Sequence, residues 1–113
     1  MNTKNRPIQL IINNNSELHA HYMPFISAGA IFVPTTEEYT MGETATVHVL
    51  LKEVGKKIPI QGTVAWITPN LAQQGIKAGI GIEFAGANAA KIKQFIENRL
   101  GPLLNTQPEK TVY

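Results

Sequence analysis

The chain has 113 residues, 43% of them hydrophobic, with no cysteine and a formal net charge of +2. That length supports one domain with a single modest core, and the lack of cysteine excludes both a disulfide framework and a thiolate metal site. The cations are scattered lysines, with arginine only at Arg6 and Arg99, so the concentrated basic face of a nucleic-acid binder is missing.

Residues 1–6 are polar and read as a frayed start. Pro7 to Asn13 alternates, with Ile8, Leu10 and Ile12 in one phase, and predicts a first strand. Asn13-Asn14-Asn15-Ser16 is a turn signal, since asparagine tolerates positive φ and bonds its own backbone. A second strand is expected from Glu17 to Tyr22, with Leu18, Ala20 and Tyr22 inward and His19 and His21 toward water. A loop from Met23 to Ala28 leads to a third strand at Gly29 to Pro34, and a polar connection runs from Thr35 to Glu43. Thr44 to Lys52 alternates Val47, Val49 and Leu51 against Thr46, His48 and Leu50. A hairpin turn around Gly55 then returns the chain.

The stretch that organises the sheet follows. In Ile58 to Ile67, Ile58, Ile60, Val64 and Trp66 share one phase that Gly62 interrupts. Gly79 to Phe84 answers it, with Ile80, Ile82 and Phe84 in one phase and Gly79, Gly81 and Glu83 in the other. Glycines on one face of adjacent strands admit a bulky ring or a second backbone, or allow a sharp bend. Between the two, Thr68 to Lys77 reads as a long exposed loop. After the sixth strand the period changes. Asn88 stands where a helix cap would, and Ala89, Ile92, Phe95, Ile96 and Leu100 recur at three and four until Gly101-Pro102 stops them. Six short strands and one terminal helix predict a mostly-β fold, a six-stranded antiparallel barrel with a C-terminal α-helix against it.

The apolar run Ile8 to Ile12 is too short for a signal peptide. The uncharged stretch Ile58 to Ile76 approaches the length of a membrane span but contains Pro59, Gln61, Pro69, Asn70, Gln73 and Gln74. The expectation is a cytoplasmic protein that is not a membrane protein. Catalytic material is scarce: there is no aspartate, and the only serines are Ser16 and Ser27, so no nucleophile with its base can be assembled. His19-x-His21 on one strand face would be half a metal site, but two exposed polar positions are the better reading, since the further ligands such a site needs are not in view. Gly79-Ile80-Gly81 lacks the third glycine and the helix of a dinucleotide fingerprint. Neither an enzyme nor a cofactor is expected.

Gly62-x-Val64-x-Trp66 followed by Gly79-Ile80-Gly81-Ile82-Glu83-Phe84 resembles the PilZ domain family, small six-stranded barrels best known as cyclic di-GMP receptors. Tyr22-Met23-Pro24-Phe25, Ile31-Phe32-Val33-Pro34-Thr35, Ile58-Pro59 and Trp66-Ile67-Thr68-Pro69 further resemble the branch of that family that serves type IV pilus assembly. The likeness spans roughly residues 8 to 100 and implies a PilZ-type barrel at 7–104, with a flexible tail at 105–113. Nucleotide-binding members carry Arg-x-x-x-Arg ahead of the barrel and Asp/Asn-x-Ser-x-x-Gly at its mouth. Guanidinium forks clamp phosphates and guanine edges in a way that lysine does not reproduce. Here no arginine lies between Arg6 and Arg99, and alignment on Ser27 puts Phe25 at the acidic position and Ala30 at the final glycine.

The pilus-type resemblance implies a non-enzymatic adaptor in type IV pilus biogenesis and twitching motility. It would bind a PilB-type pilus extension ATPase and a FimX-type EAL-domain protein, with cyclic di-GMP acting at most indirectly. The partner-binding residues it implies are Tyr22 and Trp66, extended by Met23, Pro24, Phe25 and Ile26 in the same loop. From the residues alone Trp66 reads first as a core residue in phase with Ile58, Ile60 and Val64, and Tyr22 stands evenly between core and patch; Phe25 and Ile26 are otherwise a loop anchor, and the tail disordered. The other reading is a cyclic di-GMP receptor with an atypical site.

Overall fold

Alternation sets the first strand, as expected. In the computed structural model, which describes residues 6–69, 78–107 and 113, β1 (Ile8–Ile12) buries Leu10 and Ile12 and leaves Gln9 and Ile11 exposed. The next segment is different. The Asn14 side chain accepts a hydrogen bond from the Glu17 backbone N–H at 3.0 Å. The Glu17 carboxylate reaches back to accept from the backbone N–H and the side-chain amide of Asn13 at 2.9 and 3.1 Å. These bonds satisfy donors that a helix start otherwise leaves orphaned, and they hold the Glu17 carboxyl below its ordinary pKa, the Asn13 backbone bond contributing most. The expected turn at Asn13–Ser16 is therefore the cap of α1 (Asn15–His21), which replaces the expected strand and buries Leu18 and His19.

The chain continues through β2 (Tyr22–Met23), β3 (Ala30–Pro34), β4 (Thr44–Leu51), β5 (Lys56–Thr68) and β6 (Gly79–Phe84) to α2 (Ala89–Leu100) and a 3-10 turn at Gly101–Asn105. The strands form one six-stranded sheet in the order β1-β4-β5-β6-β3-β2. β1 runs parallel to β4, with Ile8 opposite Val47 and Ile12 opposite Leu51, and the other pairings are antiparallel. The expected closed antiparallel barrel is thus corrected to an open half-barrel of mixed strands with a C-terminal helix. The cause is local. A hairpin at Asn13–Ser16 would have bonded the first strand to the second, whereas α1 carries the chain from one edge of the sheet to the other. A connection through a helix permits the parallel pairing that a tight turn forbids, and β1 and β2 are left as separate edges.

The main core fills the concave face. Ile12, Ile31, Val33, Val47, Val49, Ile60, Ile80 and Ile82 meet Leu18 of α1 and Ile96 and Leu100 of α2. Burying an aliphatic side chain of this size contributes about 1.5–3 kcal/mol, so this face holds the fold together. Asn88 sits at the N-cap of α2 as expected, but its side chain makes no capping bond; Gly101 closes the other end with its N–H on the Glu97 carbonyl. β3 is buried on both sides, and that detail matters for function. Ile31 and Val33 enter the main core, while Ala30 and Phe32 join Met23 in a smaller cluster on the convex face. Gly79 and Gly81 make room for this second cluster. A Cβ at Gly79 would meet the Phe32 ring, and one at Gly81 would sit 2.7 Å from Met23 Sδ and 2.8 Å from Trp66 Cβ. The close approach expected of those glycines is present. Of the expected loop Thr68 to Lys77, residues 70–77 lie outside the described residues, as do residues 1–5 of the expected frayed start and 108–112 of the expected tail.

Candidate functional site

Strict alternation along β5 would send Trp66 into the main core beside Ile60 and Val64. It does not arrive there. Val64 pairs with Ile82 and Trp66 with Gly81, so Ala65 is an extra residue and the strand bulges between Val64 and Trp66. A bulge re-aims the side chains beyond it. Trp66 therefore crosses to the convex face and packs against the Met23, Ala30 and Phe32 cluster. Its indole N–H donates to Thr68 Oγ1 at 2.7 Å, which fixes the ring's orientation.

The Met23–Gly29 loop adds the next ring. Gly29 N–H donates to the Ile26 carbonyl at 2.8 Å, and Gly29 adopts φ +81°, which closes the loop back onto β3. Two tertiary bonds fasten it. The Ala28 N–H donates to a Glu83 carboxylate oxygen at 3.1 Å, and the Lys93 ammonium donates to the Ser27 carbonyl at 3.1 Å. So held, the loop presents Phe25, 58% exposed, with its ring centroid 5.7 Å from Trp66 at an interplanar angle of 66°. Tyr113 supplies the third ring. Its centroid lies 5.7 Å from Phe25, 5.9 Å from Trp66 and 6.0 Å from Phe32. Burial raises the Tyr113 hydroxyl pKa above its ordinary value. Beneath them, His21 Nδ1 lies 2.8 Å from the Phe32 carbonyl and its ring 6.3 Å from the Phe32 ring. Beside them Ile67 is 41% exposed.

The residues singled out from the sequence divide accordingly. Met23, Phe25, Ile26 and Trp66 come together on the convex face, Met23 as its buried floor, and Pro24 is exposed in the same loop. Tyr22 does not join them. It is 1% exposed in the main core, stacked on Phe84 at 6.5 Å, with its hydroxyl donating to Glu97 at 2.6 Å. Burial first, and then the bond and charge of Glu97, raise the Tyr22 hydroxyl pKa well above the ordinary tyrosine value. Of the motif positions, Phe25 and Ser27 are exposed while Ala30 is fully buried at the start of β3. Tyr113 and Phe32 were missed as site residues. Phe32 is signalled by the apolar run Ala30–Val33, which marks a strand buried on both faces; nothing local in the sequence marks Tyr113. His19 and His21, expected on one strand face, lie two apart on α1 and so diverge.

The chemistry available here is stacking. Planar rings with exposed faces and edges hold flat apolar or heteroaromatic groups in offset or edge-to-face geometry. Of the other clefts, one of about 270 Å³ sets Phe95 beside Lys56 and Lys91, and two more suit a charged planar ligand less well. One of about 450 Å³, between Thr35–Tyr39 and Ile67–Pro69, has Glu37 and Glu38 among its walls, which repel anions. The other, of about 400 Å³, is lined by Thr44, Thr46, Gln61 and Thr63 with neither ring nor cation. Among the described residues no group of three or more His, Cys, Asp or Glu side chains converges as metal ligands. No helix of the described residues is long and apolar enough to cross a membrane.

The structure is an open, mixed six-stranded half-barrel with a terminal helix and a ring-bearing outer face. The PilZ domain profile matches residues 4–98, and the chain belongs to the PilZ domain family. No curated protein matches the sequence. The family match overturns two expectations. Residues 4–98 match the PilZ domain as such, a family that typically binds cyclic di-GMP, and nothing in the match marks a subtype that does not, so the expected adaptor that does not itself bind the nucleotide is corrected. Nor does the match or the geometry carry any mark of a PilB-type ATPase or a FimX-type EAL-domain partner. The exclusion of nucleotide binding rested on the missing arginines and on Phe25 and Ala30 at the motif positions, and the convex face carries exposed rings that this reading did not weigh.

Proposed function

We propose that this PilZ domain is a cyclic di-GMP receptor with an atypical site, in which an aromatic platform does the work of the arginine clamp. The observation that carries the reading is the edge-to-face pair of Phe25 and Trp66, on which Tyr113 packs. It sits on the loop where Phe25-x-Ser27-x-x-Ala30 stands in place of the receptor motif. Stacking of a nucleobase on an aromatic side chain is worth about 1–3 kcal/mol per base. Two guanines would then supply a large part of the roughly 8 kcal/mol that corresponds to micromolar binding. Lys93, already bonded to the Ser27 carbonyl on the same loop, is a cation available for a phosphodiester. The pilus-type segments support a cytoplasmic role in type IV pilus biogenesis and twitching motility, and this finer reading is proposed with the rest.

Calorimetric titration of the full chain with cyclic di-GMP tests the proposal. A saturable isotherm is expected, weakened at least fivefold by Trp66→Ala or Phe25→Ala, in line with the loss of one stacked base. A flat titration of the folded wild type at high ligand would refute it.

A further inference from the structure

We infer that Tyr113 is an intramolecular occupant of the aromatic platform, so that ligand binding and seating of this residue compete. The inference rests on the cyclic di-GMP reading for the identity of the competitor, and on geometry for the contact itself. Tyr113 closes on three rings at once, Phe25, Phe32 and Trp66, at 5.7 to 6.0 Å. These are the separations at which aromatic pairs attract beyond their simple burial. It is partly buried against the Met23, Ala30 and Phe32 cluster, and its hydroxyl pKa is raised by that burial. Its angles to Trp66 and Phe25, 76° and 54°, are tilted or edge-on rather than parallel. A planar base offered face to face to Trp66 must therefore displace Tyr113 rather than slide beside it.

Two properties make the contact suited to regulation. Tyr113 is tethered to the chain that bears the platform, so it competes at an effective concentration set by the tether rather than by the bulk. Among the described residues its partners are the rings of Phe25, Phe32 and Trp66, contacts that a stacking ligand can replace in kind. A seated fraction set by a few aromatic pairs lowers apparent ligand affinity by about five- to tenfold, since each such pair contributes a modest increment and the ligand binds only the open fraction. Binding would in turn free Tyr113 and expose it to whatever reads the nucleotide-bound state.

The test compares wild type, Tyr113→Ala and Tyr113→Phe as full chains, with two independent readouts. Trp66 is the sole tryptophan, so acrylamide quenching of its fluorescence without ligand reports directly on shielding by Tyr113. Greater quenching is expected for Tyr113→Ala and wild-type behaviour for Tyr113→Phe. Unchanged quenching in Tyr113→Ala would overturn the contact whatever the nucleotide does. In titrations with cyclic di-GMP, Tyr113→Ala should bind about five- to tenfold more tightly than wild type. Weaker binding would overturn the competition and make Tyr113 a wall of the site. Absence of binding by all three proteins would sink the receptor reading and the competition with it, while the quenching comparison still decides the contact.

Discussion

Gly79→Ala puts the two-faced packing of β3 under direct strain. Gly79 lies on β6 opposite both Pro34 of β3 and Thr68 of β5, and an added Cβ would collide with the tip of the Phe32 ring. Phe32 is fully buried and its ring is rigid, so it cannot swing aside as a flexible chain end would. Overpacking of this kind costs about 1–3 kcal/mol, and the severity of the collision favours the upper half. For a chain of this size each kcal/mol is worth about 4 °C in Tm, so a fall of about 8–12 °C is expected in thermal unfolding followed by circular dichroism. The second variant makes the reasoning specific. Phe32→Leu alone should destabilise modestly, and combined with Gly79→Ala it should recover part of the loss. That non-additivity is the mark of two side chains sharing one space. A Gly79→Ala protein melting within about 1 °C of wild type, or a double variant whose losses simply add, would refute the claim that glycine here exists to admit the ring.

The core and the helix cap give further expectations. Tyr22→Phe removes the 2.6 Å bond to Glu97 and should cost about 1–2 kcal/mol, read as a lowered urea midpoint near neutral pH. The wild-type Tyr22 hydroxyl has a folded pKa raised well above the ordinary tyrosine value of about 10. Its stabilising contribution is therefore complete below pH about 10 and is lost as pH rises toward the folded pKa; the alkaline decline in stability should be shallower in Tyr22→Phe, with Tyr39 and Tyr113 left to contribute. Asn14→Ala deletes the cap of α1 and should cost about 1 kcal/mol, seen as a Tm lowered by about 4 °C. Glu17, whose folded pKa is depressed, adds stability present above pH 4.5 and lost as pH falls through the folded value. Glu17→Gln should accordingly flatten the acid limb of an unfolding series. Phe25→Ala, by contrast, should leave Tm within about 2 °C of wild type because the ring is 58% exposed, while lowering affinity for cyclic di-GMP.

What could be read from the sequence, and what could not, follows the range of the interactions. Alternation at Thr44–Leu51 is enforced by one-sided burial, so it is written plainly in the residues; Gly79–Phe84 alternates as plainly although both its faces are covered, because glycine takes the phase that meets Phe32, Met23 and Trp66. The three-and-four spacing of α2 is equally plain. α1 was missed because Leu18, Ala20 and Tyr22 satisfy a strand period, and the Asn run satisfies a turn. The deciding signal was the Asn14-x-x-Glu17 spacing, a capping pattern that outweighs a short ambiguous alternation. From that one local misreading came the global one. With a hairpin at Asn13 the first two strands pair and a barrel closes; with a helix there they become opposite edges and β1 lies parallel to β4. Parallel pairing of distant segments has no local signature at all.

The site depends on a subtler departure. Phase counting assigns Trp66 to the side of Ile60 and Val64, and it fails because Ala65 is inserted against β6 at a single point. Nothing in Val64-Ala65-Trp66 requires that insertion; it is selected by what lies across the strand. Gly81 presents a gap beside Met23 and Trp66, and Phe32 offers the same face a large apolar floor. Had Trp66 kept phase, it would have entered a core already filled by Ile60, Val64, Ile80 and Ile82, where an indole costs more in displaced aliphatics than it gains. The bulge, the glycine phase of β6 and the doubly buried β3 are therefore one arrangement. Together they give a sheet whose concave side is spent on stability and whose convex side is left with rings to offer a ligand. A deletion of Ala65 should collapse that division. Trp66 would be forced back toward the core, its emission shifted to the blue, and Phe25 and Tyr113 left without their common neighbour. An Ala65-deleted protein that still folds with wild-type Trp66 emission would show that the bulge does not aim the ring.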